Sequence, residues 1–294
     1  GAGQTNGNIA IGSSTGVLED SFGGTLTTAN GGNSIALGTA TQATGASAVG
    51  IGVNAVASAD SAVALANAAQ ATGARSIAIG ADGSDGNTLG AVAANPDSIA
   101  IGTDASAKGD YGVALGNFAR VTGSGGMALG VNSQAGSVAT ALGGLANASG
   151  GQSTAVGRQS TASGLASTGV GMLVTASGQA ATAVGYQASA SAIATTAVGR
   201  GATASGNQAS AVGYLANASQ ANSTAIGANA TTTAANQVTL GGSGSSVRIG
   251  DVAASTAAQV GPVQAVTVDG SGTLGTTSVA TTMASLMRCG WLVL

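Results

Sequence analysis

The sequence predicts an all-β chain, a parallel β-roll solenoid of 14-residue repeats assembled as a homo-oligomeric rod around a shared axis. Three observations predict the roll. A short β-like run ends in glycine at Gly157, Gly171, Gly185, Gly199, Gly213, Gly227 and Gly241, 14 residues apart each time. Between these runs lies a second phrase of the type A-x-A-x-G, such as Ala202-Thr203-Ala204-Ser205-Gly206. Composition is the third: with 51 glycines, two prolines, 6% charged and 2% aromatic residues, stacking of small side chains is the remaining way to bury a core.

The same numbers exclude other classes. Disordered chains are poor in apolar residues and rich in charge, and this chain is neither. Collagen is excluded because glycine does not recur at every third residue and proline is scarce. A net charge of −3 gives no footprint for nucleic acid. There is no histidine, one glutamate (Glu19) and one cysteine (Cys289), so the chain lacks the groups that titrate or attack, and no enzyme, cofactor or metal centre is expected. No signal peptide is visible at Gly1–Ala10, and no run of about 20 apolar residues could span a bilayer. Any export or anchoring segment is therefore expected outside these residues.

Taken from the start, the run recurs as NIAIG at Gly12, SIALG at Gly38, AVGIG at Gly52, AVALA at Ala66, SIAIG at Gly80 and again at Gly102. It continues through Gly116, Gly130 and Gly143 into the regular stretch, making 16 coils with Ala66 the one replaced glycine. The coil from Gly130 to Gly143 is one residue short; those starting at Gly12 and Gly80 are long by about 12 and by 8 residues. Fourteen residues suffice for two strands of about five residues and two tight turns. Coils about 4.8 Å apart then make a rod roughly 75 Å long. Residues 1–250 are read as the roll, with insertions near 13–32 and 81–97. Residues 251–280 form a cap region with a hairpin turning at Asp269–Gly272, and 281–294 a tail of different composition and unassigned role, a docking segment or a non-native addition.

Alternation assigns faces. The residue before each glycine is aliphatic (Val156, Val170, Val184) and is expected to fill the roll. The residue before that is Ala or Gly (Ala155, Gly169, Ala183), expected on the opposite face, where only a closely approaching partner chain would cover it. The second strand alternates Ala with Asn, Thr and Ser, the pattern of a sheet with one wet face.

The [S/A]-[V/I/T]-A-[I/V/L]-G run combined with A-x-A-x-G at period 14 resembles the head domain of YadA-type trimeric autotransporter adhesins, over roughly residues 8–250. The resemblance implies a left-handed roll, three identical chains around a threefold axis, and display at the bacterial cell surface through an outer-membrane anchor not present in these residues. Family members usually continue into heptad coiled coil and anchor strands; here neither pattern follows Gly241.

Three features are candidates for recognising a partner. The insertions carry Glu19, Asp20 and Phe22 in one and Asp82 and Asp85 in the other, and projecting loops commonly carry function. The Asp82–Asn87 stretch lacks the alternating acids and terminal glutamate of a calcium loop and reads as a solvated turn. The third is a ladder one residue after the closing glycine: Arg158, Met172, Tyr186, Arg200 and Tyr214 in successive coils. Stacked at the coil spacing they form a stripe with Arg beside Tyr, serving as a seam between chains or as a binding surface. The resemblance implies an adhesin head that attaches to extracellular matrix or another cell surface, and a long repetitive surface presented three times would do so by multivalent binding. The alternative is a structural fibre, of a phage or of an end-to-end filament, built on the open edges of a roll.

Overall fold

A computed structural model of the chain describes residues 7–13, 26–83, 86–248, 259, 264–270 and 272–278. The chain is an all-β parallel solenoid with no helix among the described residues. It divides into two compact units, Gly1–Ser245 and Ser246–Leu294.

The first unit is two parallel sheets. One contains 16 strands, each a three-residue run before the closing residue, from Ile9–Ile11 to Val238–Leu240. The other contains 14 two-residue strands, from Thr28–Ala29 to Asn217–Ala218. The chain alternates between them, so every strand pairs with the equivalent strand one coil on: Thr154↔Thr168, Ala155↔Gly169, Val156↔Val170. The strands are shorter than the expected five residues because the corners take the rest of each coil.

Glycine closes a coil for two reasons. Its backbone lies at positive φ (Gly171, +135°), and a Cβ on Gly171 would stand 2.6 Å from the carbonyl oxygen of Gly185 in the next coil. Ala66 holds the same turn at φ 104° with a side chain present. Each corner also places a residue near φ +55°, among them Gln159, Ala166 and Leu173, which satisfies its amide across coils: Gln159 N–H donates to Gly144 O at 3.0 Å.

The core corrects the expected faces. Ala155, Ala162, Ala183 and Ala190 are fully buried inside the roll, whereas Leu142, Val170 and Ile226 point outward and are 46%, 37% and 44% exposed. The aliphatic residue before each glycine therefore lies outside and the alanine inside. The physical reason is width: two sheets joined by such short corners leave a lumen that alanine fills, and valine enters it only at Val121 and Val174, where glycine faces the larger side chain (Gly112 and Gly126 at the first, Gly169 at the second). Hydroxyls share this interior. Ser153 Oγ donates to Gly150 O at 2.6 Å and Ser160 Oγ to Gly157 O at 2.9 Å, bonding back to the preceding corner. On the second sheet the expectation holds, with alanine inward and Asn147, Thr161 and Thr175 on the outer face.

Irregular coils absorb their length changes at corners. The short coil loses a residue between Ala135 and Thr140, and the strand rhythm resumes at Val92–Ala93 after the second insertion. In the second unit, Gln264–Val268 and Leu274–Ser278 pair antiparallel, and Gly272 N–H donates to Asp269 O at 3.0 Å across the turn.

Candidate functional site

The stripe after the closing glycine is built by the backbone. Each of its carbonyls accepts a hydrogen bond from the corner amide one coil on: Leu173 N–H to Arg158 O at 3.1 Å, Gln187 to Met172 at 3.1 Å, Gly201 to Tyr186 at 2.9 Å, Leu215 to Arg200 at 2.9 Å and Asn229 to Tyr214 at 2.8 Å. Five side chains are thereby held in register along one edge of the roll. Arg200 lies between two rings, its Cζ 5.7 Å from the centroid of Tyr186 and 5.4 Å from that of Tyr214. Both distances fall within cation–π range, and the rings hold the guanidinium between neighbours in an ordered stack. Arg200 Nη1 also reaches the Tyr214 hydroxyl at 3.4 Å, a long hydrogen bond. Met172 and Tyr214 are 42% and 45% exposed, Arg158 and Arg200 are exposed, and Tyr186 is half-buried. Arg158 stacks on no ring among the described residues and faces solvent.

The closing glycines Gly157, Gly171, Gly185, Gly199, Gly213 and Gly227 stack coil on coil beneath this stripe, and Gly241 ends the column, meeting Ser245 instead. Of the loop candidates, Asp82 is half-buried, its amide donating to Asn67 O at 3.1 Å. Glu19, Asp20, Phe22 and Asp85 lie outside the described residues, as do 251–258 and 281–294. No three acidic or thiol side chains gather to hold a metal among the described residues, and no helix among them is long and apolar enough to cross a membrane.

Sequence reasoning missed a second surface. The outer face of the 16-stranded sheet carries the aliphatic column before the glycines, joined up to Met127 by a second column of Ile and Val (Ile35, Val49, Ile77) and from Thr140 by Thr (Thr154, Thr182). The alternation that reveals this face was legible; its direction was not.

Electrostatics gather at one corner. Arg75 and Asp97 form a two-pronged ion pair, Nε to Oδ1 and Nη2 to Oδ2 both at 2.6 Å, bridging the coils on either side of the second insertion. The hydrogen bond from Arg75 holds the Asp97 carboxyl below its usual range, and the same bond raises the guanidinium.

Comparison with known proteins bears on the repeat. The family model for the YadA head domain repeat (2 copies) matches residues 24–41, 43–65, 67–82, 93–119, 139–160, 148–171, 176–202 and 204–230, more than half the chain. The matches lapse at the second insertion and across the shortened coil. Among solved structures, the collagen-binding domain of the Yersinia adhesin YadA is similar at 16% identity, covering 97% of this chain and 99% of that one, with a TM-score of 0.20. No curated protein matches the sequence.

Proposed function

The chain belongs to the YadA head domain family, and from that premise we propose that three copies pack around a shared axis as an adhesin head at the bacterial surface. The head attaches to extracellular matrix or another cell surface, and is carried by an outer-membrane anchor outside these residues. One observation carries the reading: the outer face of the 16-stranded sheet. Large, contiguous, half-exposed aliphatic columns on a soluble sheet mark a surface that another surface covers. A second and third copy supply the same columns, in the same register, so the faces match along their length. Three identical outer surfaces then multiply weak individual contacts into useful avidity.

Sedimentation equilibrium tests the assembly, with an expected mass of three times the 26.9 kDa chain. Replacing Val156, Val170 and Val184 with Asp should leave β-rich circular dichroism intact while releasing monomers. The same variant should lose adhesion to immobilised collagen, one matrix surface to test, because valency is lost. A monomeric parent chain would sink the shared-axis reading.

A further inference from the structure

The outer face of the 14-stranded sheet is a field of hydroxyls and amides, such as Gln42, Thr161, Ser163, Thr175 and Ser177. Charge interrupts it at one place, where Lys108 directly follows the strand Ser106–Ala107 and Arg120 opens the neighbouring strand Arg120–Val121. The register Ser106↔Arg120 sets Lys108 diagonal to Arg120, their Cα atoms about 8 Å apart from the strand spacing and rise. Both are exposed, and neither has an ion-pair partner among the described residues. The second insertion rises beside them. Its residues Asn87 and Leu89, with Val92, Ser106, Lys108 and Arg120, line a cleft of about 140 Å³. A cavity of about 150 Å³ accommodates a six-membered ring.

We propose that this cleft binds an acidic sugar unit of an anionic polysaccharide. Lys108 and Arg120 take the sulfate or carboxylate in charge-assisted hydrogen bonds. Leu89 and Val92 offer the apolar patch on which the C–H face of a sugar ring rests. The hydroxyl and amide columns on either side offer hydrogen bonds to the neutral parts of a polyhydroxylated chain. Nucleic acid fits less well, since its charge density calls for many cations and this face has two. Asp104, also at the cleft, directs its charge into the base of the loop: Oδ1 accepts from Gly83 N–H at 3.1 Å and Oδ2 is enclosed by protein. It holds the insertion in place beside the cations.

The site names a ligand class for the adhesive head and rests on that reading. Titration of the full chain with a chondroitin sulfate octasaccharide tests it. Replacing Lys108 and Arg120 together with Ala should weaken binding by about tenfold or more. Replacing Arg248 and Arg288 with Ala removes the same formal charge and should change binding by less than about twofold if contact rather than net charge governs. Leu89→Trp, which fills the cleft and keeps both cations, should weaken binding by about tenfold on its own. A desulfated octasaccharide separates the sources: a retained contrast between the two double variants assigns the carboxylate, a lost one the sulfate, and either supports the site. Equal losses in the two double variants, or no binding by the parent chain, would overturn it. A trimer that adheres to collagen yet ignores the octasaccharide overturns the site alone, whereas a monomer that binds the octasaccharide overturns the shared axis alone.

Discussion

The two sheets of the first unit share one alternation and differ most in what they turn outward. Both bury alanine, fully at Ala155 in one and at Ala162 in the other. Outside, one sheet carries chiefly Val, Ile, Leu and Thr, and the other chiefly Ser, Thr, Asn and Gln, with Val56, Val92 and Arg120 as exceptions. The interior is thus nearly uniform along the chain, and difference is confined to the faces. Even the change from paired aliphatic columns to Thr beside aliphatic falls at the shortened coil, between Met127 and Thr140. A lumen of alanine stacks any coil on any other; the outer face decides what the coil meets.

The sharpest way to break this contrast is to exchange the sizes of neighbouring residues. Ala183→Leu puts a large side chain into a filled lumen and should cost roughly 3 kcal/mol, the upper range for overpacking. Val184→Leu, one residue on but outward, should change the chain's own stability by less than about 0.5 kcal/mol. Urea unfolding of both variants measures the difference. Equal effects would mean that inside and outside are not distinct in this roll.

Period and coil count were legible in the sequence because backbone geometry favours glycine at the closing position, which fills all of them but Ala66. No side chain satisfies both φ +135° and a carbonyl 2.6 Å from its Cβ, as at Gly171. The direction of the faces was not legible, because the usual guide, that the larger apolar residue goes inside, fails in a lumen that takes a valine only opposite a glycine, as at Val121 and Val174. The informative signal was Ser153 and Ser160, hydroxyls at positions that proved buried and bonded to corner carbonyls. Register made the Arg200 stack legible, since 14-residue spacing alone sets Tyr186 and Tyr214 on either side of it. The cleft was invisible: it depends on how the second insertion folds back beside Lys108 and Arg120, and no period describes an insertion.

A milder test concerns the closing column. Ala66 turns at φ 104° where fifteen other coils use glycine. Positive φ in a residue with a Cβ costs on the order of 1–3 kcal/mol, and glycine recovers this less its own chain entropy of about 0.5–1 kcal/mol. Ala66→Gly should therefore stabilise the chain by about 1 kcal/mol, raising its melting temperature by about 2–4 °C for a chain of this size. Gly171→Ala should move it the other way, and by more, since the added carbon meets backbone of the next coil rather than a side chain able to move. No gain in Ala66→Gly would mean that the turn, unlike the lumen, tolerates a side chain freely.

The smallest effect belongs to the corner pair that joins the coils flanking the second insertion. Asp97 has its carboxyl lowered by the hydrogen bond from Arg75. A carboxylate held below its unfolded value contributes stability that is fully present above the ordinary carboxylate range and lost as pH falls through the lowered value. Arg75 is shifted upward from a value already far above neutrality, so it adds no pH dependence in the working range. Both side chains reach solvent, so salt screens the pair and its contribution is small. Asp97→Asn should accordingly melt slightly below the parent chain at neutral pH and low salt. The gap should close on acidification below the carboxylate range, and close again at neutral pH when salt is raised. A gap that persisted in acid would assign the pair's effect to packing at the corner rather than to charge, and would make this corner resemble the lumen more than the outer faces.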